Sequence, residues 1–178
     1  GIAAVLDPQD TVAEHVQDTL VAGAGLCHVE NTTHILSNAA AAIDWLCQFG
    51  VPFTYHEQSL HLTREGGHGH RRIVHAADHT GWSVTQTLQQ QLATKSNVTC
   101  LTEHRLQQLY VEDQRCYGAE LKDADQQSVQ VFAKYVILAT GGTGQLFELT
   151  TNPETSTGDG VALAWQAGCR VANLEFIQ

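Results

Sequence analysis

The apolar run VILA at residues 136–139 constrains the fold more than any other feature of this 178-residue chain, because it has no polar break and leads directly into the glycines of TGG at 140–142. Such a continuous apolar run is typical of a strand that is buried on both faces. We therefore predict a parallel-sheet strand over 135–139. Glycines at its carboxyl end allow a ligand to approach the backbone, and a tight strand-to-loop turn is the alternative.

Helical spacing dominates the first half of the chain. Thr11 and Glu14 form a capping-box pattern before a helix that Gly23 is expected to end. A second helix is predicted over AAAAIDWLCQF, with Gly50 just beyond it, and a third over residues 83–95.

Short strands follow the helices. The apolar segments lie at 98–101, 106–112, 116–121 and 129–133, with turn residues between them. This pattern predicts an antiparallel β-meander. A last helix is expected to begin near Asp159. The predicted class is α/β, with parallel sheet strand(s) and the meander.

The composition excludes several classes of function. A net charge of −10 argues against a nucleic-acid partner and against an anionic membrane surface. No apolar run reaches the roughly 20 residues of a membrane helix, and the N-terminus does not read as a signal peptide. Five cysteines without a C-x-x-C pair fit a reduced, cytoplasmic compartment. Because the chain opens on Gly1 instead of Met, we expect a piece of a longer protein.

No Gly-x-Gly pair completes the dinucleotide-binding motif G-x-G-x-x-G. Where the motif needs its third glycine, the sequence has His28, Arg72, Phe147 and Leu163. The phosphate-binding turn is therefore expected to be absent from this chain.

The segment LTREGGHGHRRIVHAADHTG, residues 62–81, is the most polar candidate site. We predict no metal here, because its arginines would crowd a dication at the histidines 68, 70, 75 and 79. An anion clamp is one interpretation, since arginine forks bind carboxylates and Glu65 would orient a cationic group beside the anion. The other is a solvated loop in which Glu65 pairs with Arg64 or Arg71.

Asp159 also has two interpretations. A carboxylate in the first turn of a helix is stabilised by the helix dipole, which favours a capping role. The same carboxylate can accept a hydrogen bond from a ribose or ribityl hydroxyl.

The segments HLTREGGHGHRRIVHAADHTG, VILATGG and TTNPETSTGDGVALAWQAGCRVANLEFIQ, with the opening GIAAV, resemble the L-aspartate oxidase family. That family belongs to the succinate dehydrogenase and fumarate reductase group of flavoproteins. TREGGH followed by RRI is its most specific feature. The resemblance implies an incomplete FAD-binding Rossmann-like domain over 1–178, without the N-terminal GxGxxG βαβ unit, the capping domain or the C-terminal helical domain.

The resemblance implies an enzyme with noncovalent FAD that converts L-aspartate to iminoaspartate with oxygen or fumarate as acceptor, in NAD biosynthesis through quinolinate. Quinolinate synthase is a candidate partner. We expect these 178 residues alone to bind FAD weakly or not at all and to be inactive. The alternatives are a non-catalytic structural or interaction module, and a fumarate reductase or succinate dehydrogenase flavoprotein subunit.

The resemblance also assigns roles to single residues. On the substrate side it implies Glu65, which would orient the amine, and Gln178. The residues implied for FAD contacts are Gly1, Arg105, Leu106, Ala139, Thr140, Gly141, Gly142 and Asp159.

Overall fold

The computed structural model describes residues 1–177 and contains two compact units, Gly1–Thr99 and a second unit from Cys100 onward. Helices and antiparallel strands occur in both units. The prediction of a mixed α/β chain is therefore confirmed. Within the described part, no helix combines the length and the hydropathy that crossing a bilayer requires.

The first unit contains four helices and five short strands. The helices are α1 (Val12–Ala22), α2 (Val29–Ser37), α3 (Ala39–Gln48) and α4 (Thr80–Ala93). The strands are β1 (Ile2–Ala3), β2 (Tyr55–His56), β3 (Ser59–Leu60), β4 (Leu62–Thr63) and β5 (Ile73–Val74). An antiparallel sheet has the order β1-β5-β4, and β2 pairs with β3.

Local signals set the helix boundaries in this unit. Glu14 N donates to Thr11 Oγ1, and the Thr11 hydroxyl donates to the Glu14 carboxylate, so the predicted capping box is confirmed. Gly50 follows α3 with φ +89°, as its predicted position requires. The sequence did not reveal α2, whose segment contains the weak helix formers Asn31-Thr32-Thr33 and which has no side-chain cap.

A small apolar core supports the sheet of the first unit. It consists of buried residues from α3, β5 and the connections between elements: Ala4, Ile43, Leu46, Val51, Phe53, Val74 and Ala76. Because β5 is anchored in this core, the polar segment that precedes it has one fixed end.

The second unit contains the predicted meander. Its strands are β6 (Arg105–Glu112), β7 (Arg115–Lys122) and β8 (Ser128–Phe132), paired antiparallel in that order. A 3-10 turn (Gly144–Leu146) and the helix α5 (Asp159–Gln166) follow. The strand predicted at 98–101 is wrong, because Val98 and Leu101 are exposed and the segment has no strand partner.

The predicted strand over 135–139 is also absent from the described residues. Tyr135 and Ile137 are 87% and 88% exposed, and every strand pair within residues 1–177 is antiparallel. An apolar run becomes a buried strand only when neighbouring strands complete its hydrogen bonds and cover its faces. No described strand lies beside this run, so the segment has no strand pairing here.

Candidate functional site

In the first unit, Gly1 and Glu65 lie next to each other. A Cβ placed on Gly1 would come within 3.6 Å of Glu65 Oε1 and would overlap the Ile73 side chain. The sheet explains this arrangement, because both β1 and β4 pair with β5, on its opposite edges. Two residues that the resemblance assigns to flavin and substrate are thus brought together, and the close approach to Ile73 requires glycine at position 1.

The Glu65 carboxylate is exposed. Among residues 1–177, no ion pair joins it to Arg64 or Arg71. The loop around Glu65 is exposed to solvent, as the second interpretation predicts, but the pairing of Glu65 with an arginine that it also predicts is not present in the described part of the chain. The carboxylate remains available to a cationic group of a ligand.

Arg72 does not belong to an anion clamp. Its guanidinium is fully buried and binds the Asp10 carboxylate through two hydrogen bonds, Nε to Oδ2 at 2.8 Å and Nη2 to Oδ1 at 2.7 Å. Arg71 is exposed and uses Nε to bind Leu62 O at 2.9 Å. The clamp hypothesis therefore retains only Arg64 and Arg71.

Asp18 on α1 is a residue that sequence reasoning missed. Its Oδ2 accepts hydrogen bonds from Gly69 N at 2.7 Å and from Arg72 Nη1 at 2.8 Å. The Gly69 amide, and after it the Arg72 guanidinium, lower the pKa of the Asp18 carboxyl. The available signal was the spacing of Glu14 and Asp18, which lie four residues apart and hence on one face of α1.

The four histidines of the polar segment have different neighbours. His68 lies beside His15 with a ring distance of 5.7 Å, and His70 lies 3.6 Å from the Glu14 carboxylate. His75 bonds His61 at 2.8 Å, and the ring of His79 contacts Trp82. The structure therefore does not bring these four side chains to one shared metal position.

Within the described chain, one group of three side chains has metal-ligand spacing, namely Asp10, Glu14 and His70. Both oxygens of Asp10 already accept hydrogen bonds from Arg72. This group therefore offers a cation a poorer site than the spacing alone indicates.

In the second unit, the loop Ala139–Gly142 lies against the N-terminus of α5. Gly158 N donates to Gly142 O at 3.1 Å, and a Cβ on Gly160 would overlap Thr140 Oγ1. Gly141 has φ +74°, which favours glycine, and a Cβ on Gly142 would meet no protein atom within 4 Å. The loop thus presents open backbone beside a helix N-terminus.

Arg105 and Asp159, both assigned to FAD by the resemblance, form an ion pair. Nε and Nη2 of Arg105 each lie 3.1 Å from Asp159 Oδ2. Asp159 is the first residue of α5, and no side-chain hydrogen bond caps that helix. The N-cap residue Gly158 has no side chain, and the Asp159 carboxylate in the first turn both complements the helix dipole and pairs with Arg105. Leu106 is half-buried in β6.

Two clefts border this region. One, of about 360 Å³, is lined by residues that include Leu138, Thr140, Gly141 and Gly160. The other, of about 520 Å³, has Asp159 together with apolar residues such as Trp165 in its wall. Exposed backbone, a carboxylate acceptor and apolar walls suit an elongated ligand that has both hydroxyl and apolar parts. Gln178 lies outside the described residues.

The sequence model of the FAD binding domain family matches residues 1–178. Relatives include L-aspartate oxidase 1 of Ralstonia nicotianae, 50% identical, and L-aspartate oxidase of Vibrio cholerae, 46% identical. Both matches cover 100% of this chain, but only 35% and 36% of those proteins. The chain thus spans about a third of the length of the curated relatives it matches.

Solved structures with the same fold include chains of a fumarate reductase and of Sdh1. The FrdA chain of Escherichia coli quinol fumarate reductase matches with a TM-score of 0.90 and 28% identity, over 93% of this chain and 29% of that one. Mycobacterium smegmatis Sdh1 matches with a TM-score of 0.89 and 27% identity, over 94% of this chain and 31% of that one.

Proposed function

Since the chain belongs to the FAD binding domain family, we propose that it forms part of an FAD-dependent L-aspartate oxidase. The reaction converts L-aspartate to iminoaspartate, with oxygen or fumarate as acceptor. The observation that carries the proposal is the unpaired Glu65 carboxylate beside Gly1. Relatives named L-aspartate oxidase, 41–50% identical over the whole chain, support the choice of substrate.

The glycine loop and Asp159 have the chemistry to hold FAD without a covalent bond. Open backbone at Gly142 permits close approach of a ligand, and the Asp159 carboxylate can accept a bond from a hydroxyl. The FAD contacts in this proposal are Gly1, Arg105, Leu106, Ala139, Thr140, Gly141, Gly142 and Asp159. When bound, FAD supplies the acceptor for the hydride of the substrate α-carbon.

Glu65 has the substrate role in this proposal. Aspartate differs from a plain dicarboxylate by its α-ammonium group, so a selective site needs an anionic partner for that group. The exposed Glu65 carboxylate offers a charge-assisted hydrogen bond and orients the amine. Gln178 is proposed to contact the substrate as well.

The product and the compartment follow from the same proposal. Iminoaspartate feeds quinolinate formation in NAD biosynthesis, which makes quinolinate synthase a candidate partner. The five cysteines are all free, and a reduced cytoplasm is the compartment that suits such usage.

The test is the change Glu65→Gln in the protein as its gene encodes it. Glutamine keeps the shape and removes the charge, so kcat/KM for aspartate should fall roughly ten- to a hundred-fold. Fumarate reduction involves no substrate amine and should fall much less. Glu30→Gln is the matched control, because Glu30 is exposed on α2.

Three results would count against the proposal. Equal losses of both activities at normal flavin content would remove the amine-orienting role from Glu65. A wild-type protein that oxidises succinate but not aspartate would point to the dehydrogenase alternative. A protein that purifies without flavin and without either activity would be the non-catalytic module.

A further inference from the structure

The segment that carries Glu65 has little support of its own. It joins β4 to β5 and contains Gly66, Gly67 and Gly69, and a Cβ on Gly66 or Gly67 would meet no protein atom within 4 Å. Inside the segment, the bond from His68 N to Glu65 O measures 3.3 Å, which is long for a backbone hydrogen bond. The orientation of Glu65 must therefore be set by contacts from outside the segment.

Asp18 supplies such a contact from α1. Its Oδ2 accepts a hydrogen bond from the backbone amide of Gly69, in the middle of the segment, at 2.7 Å. The same oxygen accepts a second one from the buried Arg72, at the end of the segment, at 2.8 Å. A single side-chain atom thus joins two points of the segment to a helix.

Asp10 does not make the same pair of contacts. Its carboxylate is fully buried and bonds the Arg72 side chain, but it does not reach the backbone between Glu65 and Gly69. Asp10 and Arg72 therefore hold the end of the segment, whereas Asp18 also holds its middle.

We propose that Asp18 is a positioning residue for Glu65: by fixing the Gly69 amide and Arg72 together, it holds the Glu65 carboxylate where the substrate amine arrives. This inference rests on the proposed function. Asp18 itself does not touch substrate and acts only through the segment.

The expected consequence is selective for the amine. A misplacement of about 1 Å in a group that orients substrate costs up to roughly a hundred-fold in rate. Loss of Asp18 should therefore weaken aspartate oxidation and leave fumarate reduction nearly intact. Flavin content should stay normal, because the proposed FAD contacts do not include this helix.

The experiment compares Asp18→Ala and Asp18→Asn in the full-length, flavin-loaded protein. Alanine removes both bonds, so kcat/KM for aspartate should fall about ten-fold, with the effect carried mainly by KM. Asparagine keeps an oxygen acceptor for the Gly69 amide and should restore part of the activity. Asp44→Asn, at an exposed position on α3, is the matched control and should change nothing.

Two further readouts separate positioning from general damage. Amide hydrogen exchange at residues 66–69 should speed up in Asp18→Ala while α3 keeps its protection. In a Glu65→Gln background, Asp18→Ala should cost little more, because the residue through which it acts is already disabled.

Additive effects in the double variant, or equal losses of aspartate and fumarate activity, would overturn the inference. Unchanged exchange at 66–69 would overturn it as well. None of these outcomes contradicts aspartate oxidation by the wild type, on which the proposed function rests. If the wild type itself oxidises no aspartate, the proposed function fails first and the positioning role of Asp18 fails with it.

Discussion

Arg105 and Asp159 meet through one carboxylate oxygen: both Nε and Nη2 of the arginine lie 3.1 Å from Asp159 Oδ2. The arginine side chain is 72% exposed and the aspartate side chain 39%. Ion pairs this exposed contribute about 0–1 kcal/mol to stability. A large effect of removing Asp159 would therefore come from a ligand and not from the fold.

In the full-length protein, Asp159→Asn should lower the affinity for FAD about ten-fold, because a charge-assisted bond to a cofactor hydroxyl becomes a neutral one. The free energy of unfolding of the flavin-free protein should change by less than about 1 kcal/mol. Flavin affinity follows from fluorescence titration, and stability from urea unfolding. Asp125→Asn, in an exposed turn, is the control. An unchanged flavin affinity would mean that Asp159 has only a structural role.

Gly142→Ala tests whether the cofactor approaches the glycine loop. A methyl group at this position would meet no protein atom, so the flavin-free protein should keep its stability. The flavin affinity of the full-length protein should fall at least ten-fold if the cofactor occupies the open space. Gly160→Ala offers the contrast, because its methyl would overlap Thr140 and should cost about 1–3 kcal/mol of stability. Normal flavin affinity in Gly142→Ala would place the cofactor elsewhere.

Arg72→Met should destabilise the first unit by about 3–5 kcal/mol, because it leaves the Asp10 carboxylate buried without its partner. Urea unfolding followed by circular dichroism measures the loss. Arg115→Met, at an exposed arginine, should change stability by less than about 0.5 kcal/mol. A loss below about 1 kcal/mol for Arg72→Met would mean that water reaches the pair.

His15 makes the stability of the first unit depend on pH. Its side chain is buried, and burial, followed by the positive charge of Arg72, lowers the pKa of His15 below its ordinary value of 6.5. The unfolded chain then binds a proton more readily than the folded chain, so stability falls as the pH drops below about 6.5. Thermal unfolding at pH 7.5 and pH 5.5 should show this fall.

The variant His15→Gln carries no titrating group at this position, so its unfolding midpoint should change less between the two pH values. The other histidines are present in both proteins, so their effect is common to the comparison. If the unfolding midpoint changes equally between the two pH values in wild type and variant, folding does not alter the proton affinity of His15.

Local sequence signals predicted α1, α3, α4, α5 and the three strands of the meander, but they missed α2 and placed a strand wrongly at 98–101. Thr11 with Glu14 marked the start of α1, Gly50 marked the end of α3, and the turn at Asp113-Gln114 adopts the positive φ values, 48° and 62°, that a tight hairpin needs. These signals work because a cap or a turn depends on residues that are close in sequence.

Long-range features escaped prediction for the opposite reason. Asp10 and Arg72 are 62 positions apart, and Asp18 and Gly69 are 51 apart. Only the folded chain shows that one arginine of a basic cluster is buried while its neighbour is exposed. The contact between Gly160 and Thr140 could not be predicted for the same reason, although the sequence did indicate the glycine loop itself.

The unpaired run at 135–139 has a consequence for handling the molecule. Its backbone donors and acceptors face no strand within residues 1–177, and its side chains Tyr135 and Ile137 are almost fully exposed. Segments of this composition add readily to identical segments of other molecules and stack into fibrils. When these 178 residues are produced alone at high concentration, they should therefore precipitate through this run, and a lysine at position 137 should keep them in solution.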